Sequence, residues 1–214
     1  MNDLSNYRKS YEKSELLETT IPEDPINLFN RWFHEVEDFG RSGEVNAMTV
    51  STIGLDGFPK ARVVLLKKFS EEGFIFYTNY NSEKGKAIEA NPNICLSFFW
   101  QEAERQVIIK GIAQKTSEII SDNYFDSRPD GSKLGAIVSK QSEVIPSRTF
   151  LEENLKKLET EFEGKAIPRP ENWGGYIVTP LQVEFWQGRP NRLHDRIRYT
   201  SQSDFSWKIE RLSS

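Results

Sequence analysis

Three short segments of this 214-residue chain carry side chains that could do chemistry, and all three are rich in cations. In Arg62-Val63-Val64-Leu65-Leu66-Lys67, four branched apolar residues stand between two cations, the pattern of a buried strand charged at each end. Residues five apart on a strand point to opposite faces, so Arg62 and Lys67 would serve two anions, one on each side. The competing reading is a core strand whose charged ends are simply solvated. In Tyr77-Thr78-Asn79-Tyr80-Asn81-Ser82-Glu83-Lys84-Gly85-Lys86, a strand end and an Asn-rich turn run into a Ser-capped helix. Lys84 and Lys86 then fall in the first helical turn, where the macrodipole disfavours cations. A phosphate docked on the free N–H groups there would reverse that penalty, whereas Glu83 could also compensate locally. In Arg192-Leu193-His194-Asp195-Arg196-Ile197-Arg198, strand alternation would put Arg192, His194, Arg196 and Arg198 in one row, about 6–7 Å apart. Arginine suits bidentate anion recognition, although an edge strand kept cationic against aggregation reads similarly.

Composition sharpens the point. The chain carries 28 Lys+Arg against 32 Asp+Glu, a net charge of −4, so any anion site must be built locally against the global field. That balance argues against a dedicated nucleic-acid binder. Fourteen Phe, seven Tyr and five Trp are too many aromatics for a disordered chain. A single cysteine, Cys95, excludes an intrachain disulfide and a zinc site built on cysteine pairs. Cys95 also sits inside the apolar Ile94-Cys95-Leu96, so a cysteine-protease arrangement lacks support. With only His34 and His194, a histidine-rich metal centre has too few ligands. The N-terminus has no apolar stretch of signal-peptide length, and no run approaches the ~20 apolar residues of a membrane span. The expectation is a cytoplasmic protein that binds neither nucleic acid nor membrane. There is no GxGxxG and no Walker-type loop. Three local anion sites with aromatic residues nearby imply one or two phosphorylated ligands and suit a flat cofactor such as a flavin.

The elements that must position these segments can be read from pattern. Residues 1–22 are polar and aperiodic and read as a mobile arm, leaving residues 23–214 as a single domain. Asp24-Pro25 opens a helix whose Leu28, Phe29, Trp32, Phe33 and Val36 recur at helical spacing and which Gly40 ends. Strand period follows over Ala47–Ile53 and Lys60–Leu66 around a Gly54-Leu55-Asp56-Gly57 turn, then over Phe74–Thr78. A short helix between Ser82 and Asn91-Pro92 precedes a hairpin of Ile94–Trp100 and Gln106–Ala113. Helical pieces lie around Ser117–Phe125 and Ser132–Val138. Across Ser147–Phe162, Leu151, Leu155, Leu158 and Phe162 make one apolar stripe, expected to cover the sheet. Thr149 and Glu152 there have capping-box spacing. Tyr176–Thr179, Gln182–Trp186, Arg192–Tyr199 and Trp207–Leu212 read as strands. Antiparallel hairpins with helices inserted or at the ends favour a closed barrel over a parallel sheet.

Several stretches resemble, in order, the pyridoxine/pyridoxamine 5′-phosphate oxidase family: Arg62–Lys67, Tyr77-Thr78, Arg105-Gln106-Val107, Ser127-Arg128-Pro129, Trp173-Gly174-Gly175-Tyr176, Glu184-Phe185-Trp186-Gln187-Gly188, Arg192–Arg196 and Trp207–Leu212. The resemblance implies a mainly β fold with flanking helices, an FMN-binding split barrel of antiparallel Greek-key type. It also implies a homodimer with FMN at the interface. By position, Arg62, Val63, Val64, Leu65, Leu66, Lys67, Tyr77, Thr78, Lys84, Gln106, Gln141, Ser142, Trp186 and Arg196 match the family's FMN shell. Lys67, Tyr124, Arg128 and Ser132 match its grip on the substrate phosphate. Arg192, Leu193 and His194 match the segment facing the substrate's pyridine ring, with Arg192 and His194 as the catalytic pair. Arg8, Lys9, Ser10 and Tyr11 match an arm closing over the substrate. The implied reaction oxidises the phosphorylated pyridine at C4′, with O2 as acceptor. A split-barrel flavoprotein with another substrate, flavin reductase-like, and a non-catalytic FMN or pyridoxal-phosphate carrier are the alternatives. The chain departs from the pattern at Glu83, where the family commonly has Arg, at Lys133 for a usual Gln, and at Ser213-Ser214 for a frequent Ala-Pro ending.

Overall fold

The computed structural model describes residues 1–7, 9–38 and 43–214; the expected helix stop at Gly40 and the expected arm residue Arg8 lie outside them. Helix α1 (Pro25–Asp38) starts where Asp24 Oδ1 accepts the Ile26 N–H at 2.7 Å. Strands β1 (Ala47–Ile53), β2 (Pro59–Leu65), β3 (Lys68–Ser70) and β4 (Gly73–Asn79) follow. Helix α2 (Glu83–Ala90) leads to β5 (Asn93–Trp100) and β6 (Arg105–Lys115), then α3 (Glu118–Asp126), α4 (Asp130–Val138) and α5 (Arg148–Glu161). The long β7 (Trp173–Gln187), β8 (Asp195–Ser201) and β9 (Trp207–Arg211) complete the chain.

All pairings are antiparallel, in the order β2-β1-β5-β6-β7-β4-β3. The two ends of that path, β2 and β3, are joined through Leu66-Lys67, and Lys67 N–H donates to Ile75 O at 2.8 Å, so the chain itself draws the sheet round. Strand β7 pairs with β6 along one edge and divides its other edge between β4 and β8. Sequence pattern splits β7 in two at Pro180-Leu181; the structure instead keeps one strand with a bulge, Lys110 facing Gln182 while Gly111 faces Pro180. A proline without a donor is tolerated at such a bulge.

The barrel interior is apolar, mostly aliphatic, with an aromatic cluster at its centre. Phe29 of α1 is fully buried with its ring 5.0–5.1 Å from those of Phe69, Phe74 and Phe98. T-shaped and tilted contacts of this kind add about 0.5–1.5 kcal/mol per pair beyond area burial. Leu16 joins this core at 2% exposure, so the N-terminal segment is anchored to the barrel by that point. A second cluster, Phe125, Leu134, Ile167 and Trp173, lies under α3, α4 and α5.

Three local expectations are corrected. Helix α5 lays Leu155, Leu158 and Phe162 on this second cluster, not on the sheet, and buries no residue fully. Its cap is Ser147, whose Oγ accepts the Phe150 N–H at 3.1 Å; Thr149 lies inside the helix. Strand β8 begins only at Asp195, because Pro190–Arg192 forms a 3-10 turn with Asn191 and Arg192 at φ of 57° and 61°. Pro190 and these left-handed residues break the extended run, so Arg192 and His194 do not share a strand row with Arg196 and Arg198.

Candidate active site: two half-sites on one chain

The first half-site is a cavity of about 850 Å³ between β2, β4, the start of α2 and the α3–α4 pair. It is lined by Arg62, Val63, Val64, Leu65 and Lys67 from β2 and its continuation, by Tyr77 and Thr78 from β4, and by Lys84 and Gln141. Tyr124, Arg128 and Ser132 line its helical wall. Four cations therefore face one space, and among the described lining residues there is no carboxylate. Arg62 and Lys67 both reach it, since β2 ends at Leu65 and strict alternation does not run on to residue 67.

Arg62, Lys84 and Arg128 are each held by their surroundings, while Lys67 is exposed at the cavity's edge. Arg62 Nη1 donates to Thr52 Oγ1 and Lys60 O at 2.8 Å and to Val50 O at 3.2 Å. Ser82 caps α2, so Lys84 sits one residue inside it, 7% exposed, donating to Thr78 Oγ1 at 2.8 Å and Gln141 Oε1 at 3.3 Å. Burial, and then the nearby Arg62 charge, pull the Lys84 ammonium down to about 8. Lys86, on the same turn, is exposed and outside the cavity. Arg128 lies over the Trp173 ring at 4.6 Å, and its buried Nη1 has no hydrogen-bond partner among the described residues. Burial lowers its affinity for the proton as well. Tyr124 stacks on Tyr77 at 3.9 Å and 17°, and Trp173 continues the stack. Trp173 was given no role from sequence; its signal was an aromatic followed by two glycines, the mark of close backbone approach.

Leu66 points into the barrel core, 4% exposed, instead of lining this cavity. Ser142, at φ 76°, accepts the Glu83 N–H at 3.3 Å beside the cavity. Glu83 itself pairs with Lys60 at the surface.

The second half-site lies at the far end of β7. Gln106, Trp186 and Arg196 are cross-strand neighbours on β6, β7 and β8. Arg196 Nε donates to Glu184 Oε1 at 2.8 Å and its Nη1 to Ser213 O at 2.8 Å. Beside them a cavity of about 650 Å³ is lined by Lys9, Ser10, Tyr11, Arg189, Arg192 and His194, among others. Leu193, between the last two, is 73% exposed. His194 packs 4.7 Å from the Trp186 ring and accepts the Arg189 N–H at Nδ1, 3.1 Å away, so the neutral ring carries its proton on Nε2. Burial, then the Arg192 charge, push His194 below its ordinary range, with Asp195 opposing. Sequence reasoning missed Arg189, which binds Ser14 O at 3.1 Å and approaches Asp195 at 3.5 Å.

Residues 34–161 match the family described as pyridoxamine 5′-phosphate oxidase, and residues 173–214 match the pyridoxine 5′-phosphate oxidase C-terminal dimerisation region. The chain is 96% identical over 214 residues, the whole of both chains, to the pyridoxine/pyridoxamine 5′-phosphate oxidase of Flavobacterium johnsoniae. It is 76% identical to that of Flavobacterium psychrophilum, again across 100% of each. PhzG from Burkholderia lata, solved with tetrahydrophenazine-1-carboxylic acid, superposes with a TM-score of 0.87 at 28% identity, covering 95% of this chain and 100% of that one. An FMN-binding protein from Nostoc punctiforme, related to pyridoxamine 5′-phosphate oxidase, shares the fold at a TM-score of 0.69, covering 88% and 96% at 14% identity. The barrel is thus the split barrel of these proteins. No described helix is long and apolar enough to cross a membrane.

Proposed function

Because the chain belongs to the pyridoxamine 5′-phosphate oxidase family, we propose that it oxidises pyridoxine 5′-phosphate and pyridoxamine 5′-phosphate to pyridoxal 5′-phosphate, with FMN as cofactor and O2 as acceptor. The observation that carries this reading is the four-cation, carboxylate-free cavity on a chain of net charge −4. Such a space is costly to leave empty of anions, as the lowered Lys84 and the unpartnered Arg128 Nη1 attest. Two phosphates, one from FMN and one from substrate, would satisfy it, so the residues present fit the cofactor.

In this reading Arg62, Lys84, Thr78, Gln141 and Ser142 hold the FMN phosphate, and Lys67, Tyr124, Arg128 and Ser132 hold that of the substrate. Val63, Val64, Leu65 and Tyr77 complete the cofactor's seat, while Leu66 anchors that stretch of chain in the barrel core. Gln106, Trp186 and Arg196, with Arg192, Leu193 and His194, come from a second copy across the dimer interface. The dimerisation match over residues 173–214, which includes all of these but Gln106, supports that arrangement. The chemistry FMN supplies when bound is acceptance of two electrons from C4′ and their delivery to O2. Pyridoxine phosphate plus O2 gives the aldehyde and H2O2; the amine substrate also consumes water and releases ammonia. Arg192 orients the substrate's pyridine ring, and its strained backbone fixes where the guanidinium starts. His194 Nε2–H donates a hydrogen bond to the substrate, its tautomer set by Arg189. Arg196 offers a fixed positive charge where negative charge develops.

The test is Arg192→Ala. Turnover of pyridoxine phosphate in air, followed as aldehyde and H2O2, should fall more than about tenfold in kcat/KM, a loss of at least about 1.4 kcal/mol. FMN affinity should hardly change. A protein that loses FMN equally would move Arg192 into the cofactor shell, and an unmutated protein that makes no aldehyde would end the proposal.

A further inference from the structure

Glu104 is 2% exposed and sits between the 3-10 turn Gln101–Ala103 and β6 in the left-handed conformation, φ 56° and ψ 41°. A non-glycine residue held there against its preference points to a local requirement. Its carboxylate does not face another strand. Oε2 accepts the backbone N–H of Glu12 at 2.9 Å and of Lys13 at 3.1 Å, more than ninety residues away in sequence. Among the described residues its ion partner is Lys9, at 3.6 Å and mostly solvent-exposed. The Glu104 carbonyl meanwhile accepts the Gly188 N–H at 2.8 Å and the Gln187 Nε2 at 3.2 Å. One residue therefore ties the N-terminal segment to the end of β7.

The tie has a consequence one residue upstream. Tyr11, adjacent to the two bonded amides, lies edge-on to Trp186 at 5.7 Å and to His194 at 5.8 Å. Its seat is Gly188, where an added Cβ would come within 2.7 Å of Tyr11 Cγ. Tyr11 is thus the wall of the second half-site, and the chain directly after it is fixed by two backbone N–H bonds to one buried carboxylate, with Lys13 Nζ on Glu102 O and Arg189 on Ser14 O holding it further along.

We propose that Glu104 is a positioning residue for the oxidase reaction: its carboxylate locks the segment at Glu12-Lys13 so that Tyr11 closes over Trp186 and His194. The proposal deepens the functional reading above and rests on it only for its kinetic readout.

In the intact protein, the Glu12 and Lys13 amides should exchange hydrogen much more slowly than those of Ser10 and Tyr11; equal exchange would overturn the lock without any mutation. Glu104→Ala should speed trypsin cleavage after Lys9 and Lys13 by about tenfold or more, the scale of losing charge-assisted hydrogen bonds where cleavage tracks the open population. Glu104→Gln keeps an oxygen acceptor and should remain near the parent. Gly188→Ala, which displaces Tyr11 and leaves Glu104 alone, should leave the Glu12 and Lys13 amides slow to exchange while perturbing tryptophan fluorescence. Kinetically, Glu104→Ala and Gly188→Ala should both raise KM for pyridoxine phosphate severalfold, with kcat changing less and FMN affinity unchanged. Parental cleavage in Glu104→Ala, or a Gln variant as open as the Ala variant, would refute the role. A parent that is protected at these amides yet turns over no pyridoxine phosphate would sink the functional reading and leave the lock standing.

Discussion

The guanidinium of Arg128 lies 4.6 Å from the centre of the Trp173 ring, half-buried, with its buried Nη1 bonded to nothing among the described residues. Cation–π attraction, about 0.5–2 kcal/mol between exposed and desolvated settings, holds the group in place without using its hydrogen-bond donors. The donors stay available to an incoming anion, which is what a phosphate grip needs.

Arg128→Ala should therefore raise KM for the phosphorylated substrate by roughly ten- to a hundredfold, the range of a charge-assisted bond of about 1.5–3 kcal/mol. Such a grip acts alike in ground and transition states, so kcat at saturation should change little. Steady-state kinetics at saturating FMN check it; a kcat defect at unchanged KM would place Arg128 nearer the reacting carbon.

Lys84 predicts a proton signature. Its ammonium sits at about 8 in the free protein against 10.5 for an unhindered lysine, because of burial first and Arg62 second. Between those values the unfolded chain binds the proton and the folded one does not, so this group makes stability rise with pH across that window and is silent below it. A bound phosphate reverses the balance and restores the charge. At pH near 8.5, FMN binding to apo-protein should take up a fraction of a proton and weaken as pH rises further. Calorimetric titration in two buffers of different ionisation heat measures the uptake, which Lys84→Met should abolish; no uptake in the parent would mean the ammonium is already charged before binding.

Sequence pattern located the strands and the cations Arg62 and Lys84 that line the first cavity because both are local. Ala47–Ile53 follows from alternation, and Ser82 from its place before Lys84-Gly85. What escaped was whatever depended on distant backbone. Arg192 and His194 were assigned to a strand row because their spacing is even, but Asn191 and Arg192 adopt left-handed φ that period cannot reveal. Glu104 passed unnoticed among 32 acids, since its partners are the amides of residues 12 and 13. The aperiodic N-terminal stretch likewise concealed Leu16, whose burial against the barrel needs no repeat.

Gly111 marks the bulge opposite Pro180. A Cβ there would stand 2.4 Å from the Thr179 carbonyl oxygen, backbone that cannot swing aside, and 2.9 Å from the Val178 Cγ1 methyl. Gly111→Ala should cost about 1–3 kcal/mol by overpacking, lowering Tm by roughly 2–4 °C per kcal/mol in a domain this size. Thermal melting of the FMN-free protein decides it. An unchanged Tm would show that β6 and β7 can re-register around the bulge.

The last expectation concerns Glu83, where the family pattern would place a second arginine at the start of α2. The carboxylate is about half exposed and pairs with Lys60, and its charge also raises the proton affinity of Arg62 nearby. It therefore sits close enough to the cationic cavity to neutralise part of its field, while its bond to Lys60 keeps it turned to the surface. Glu83→Gln removes one negative charge and frees Lys60; Glu83→Arg adds a positive one as well. Both should tighten FMN binding at low salt, the glutamine by about twofold and the arginine by about two- to fivefold, the size of exposed charge interactions of up to about 1 kcal/mol. The helix start favours an acidic residue by about 0.3–1 kcal/mol, so the arginine variant should lose a little thermal stability in the absence of cofactor. Raising ionic strength from a few millimolar to about 0.15 M, where the screening length is about 8 Å, should erase most of the gain. Titrations of apo-protein with FMN at the two salt concentrations test this directly. Weaker binding by Glu83→Arg at low salt would mean that the Glu83–Lys60 pair orders the α2 N-terminus for phosphate, and that its charge matters less than the geometry it holds.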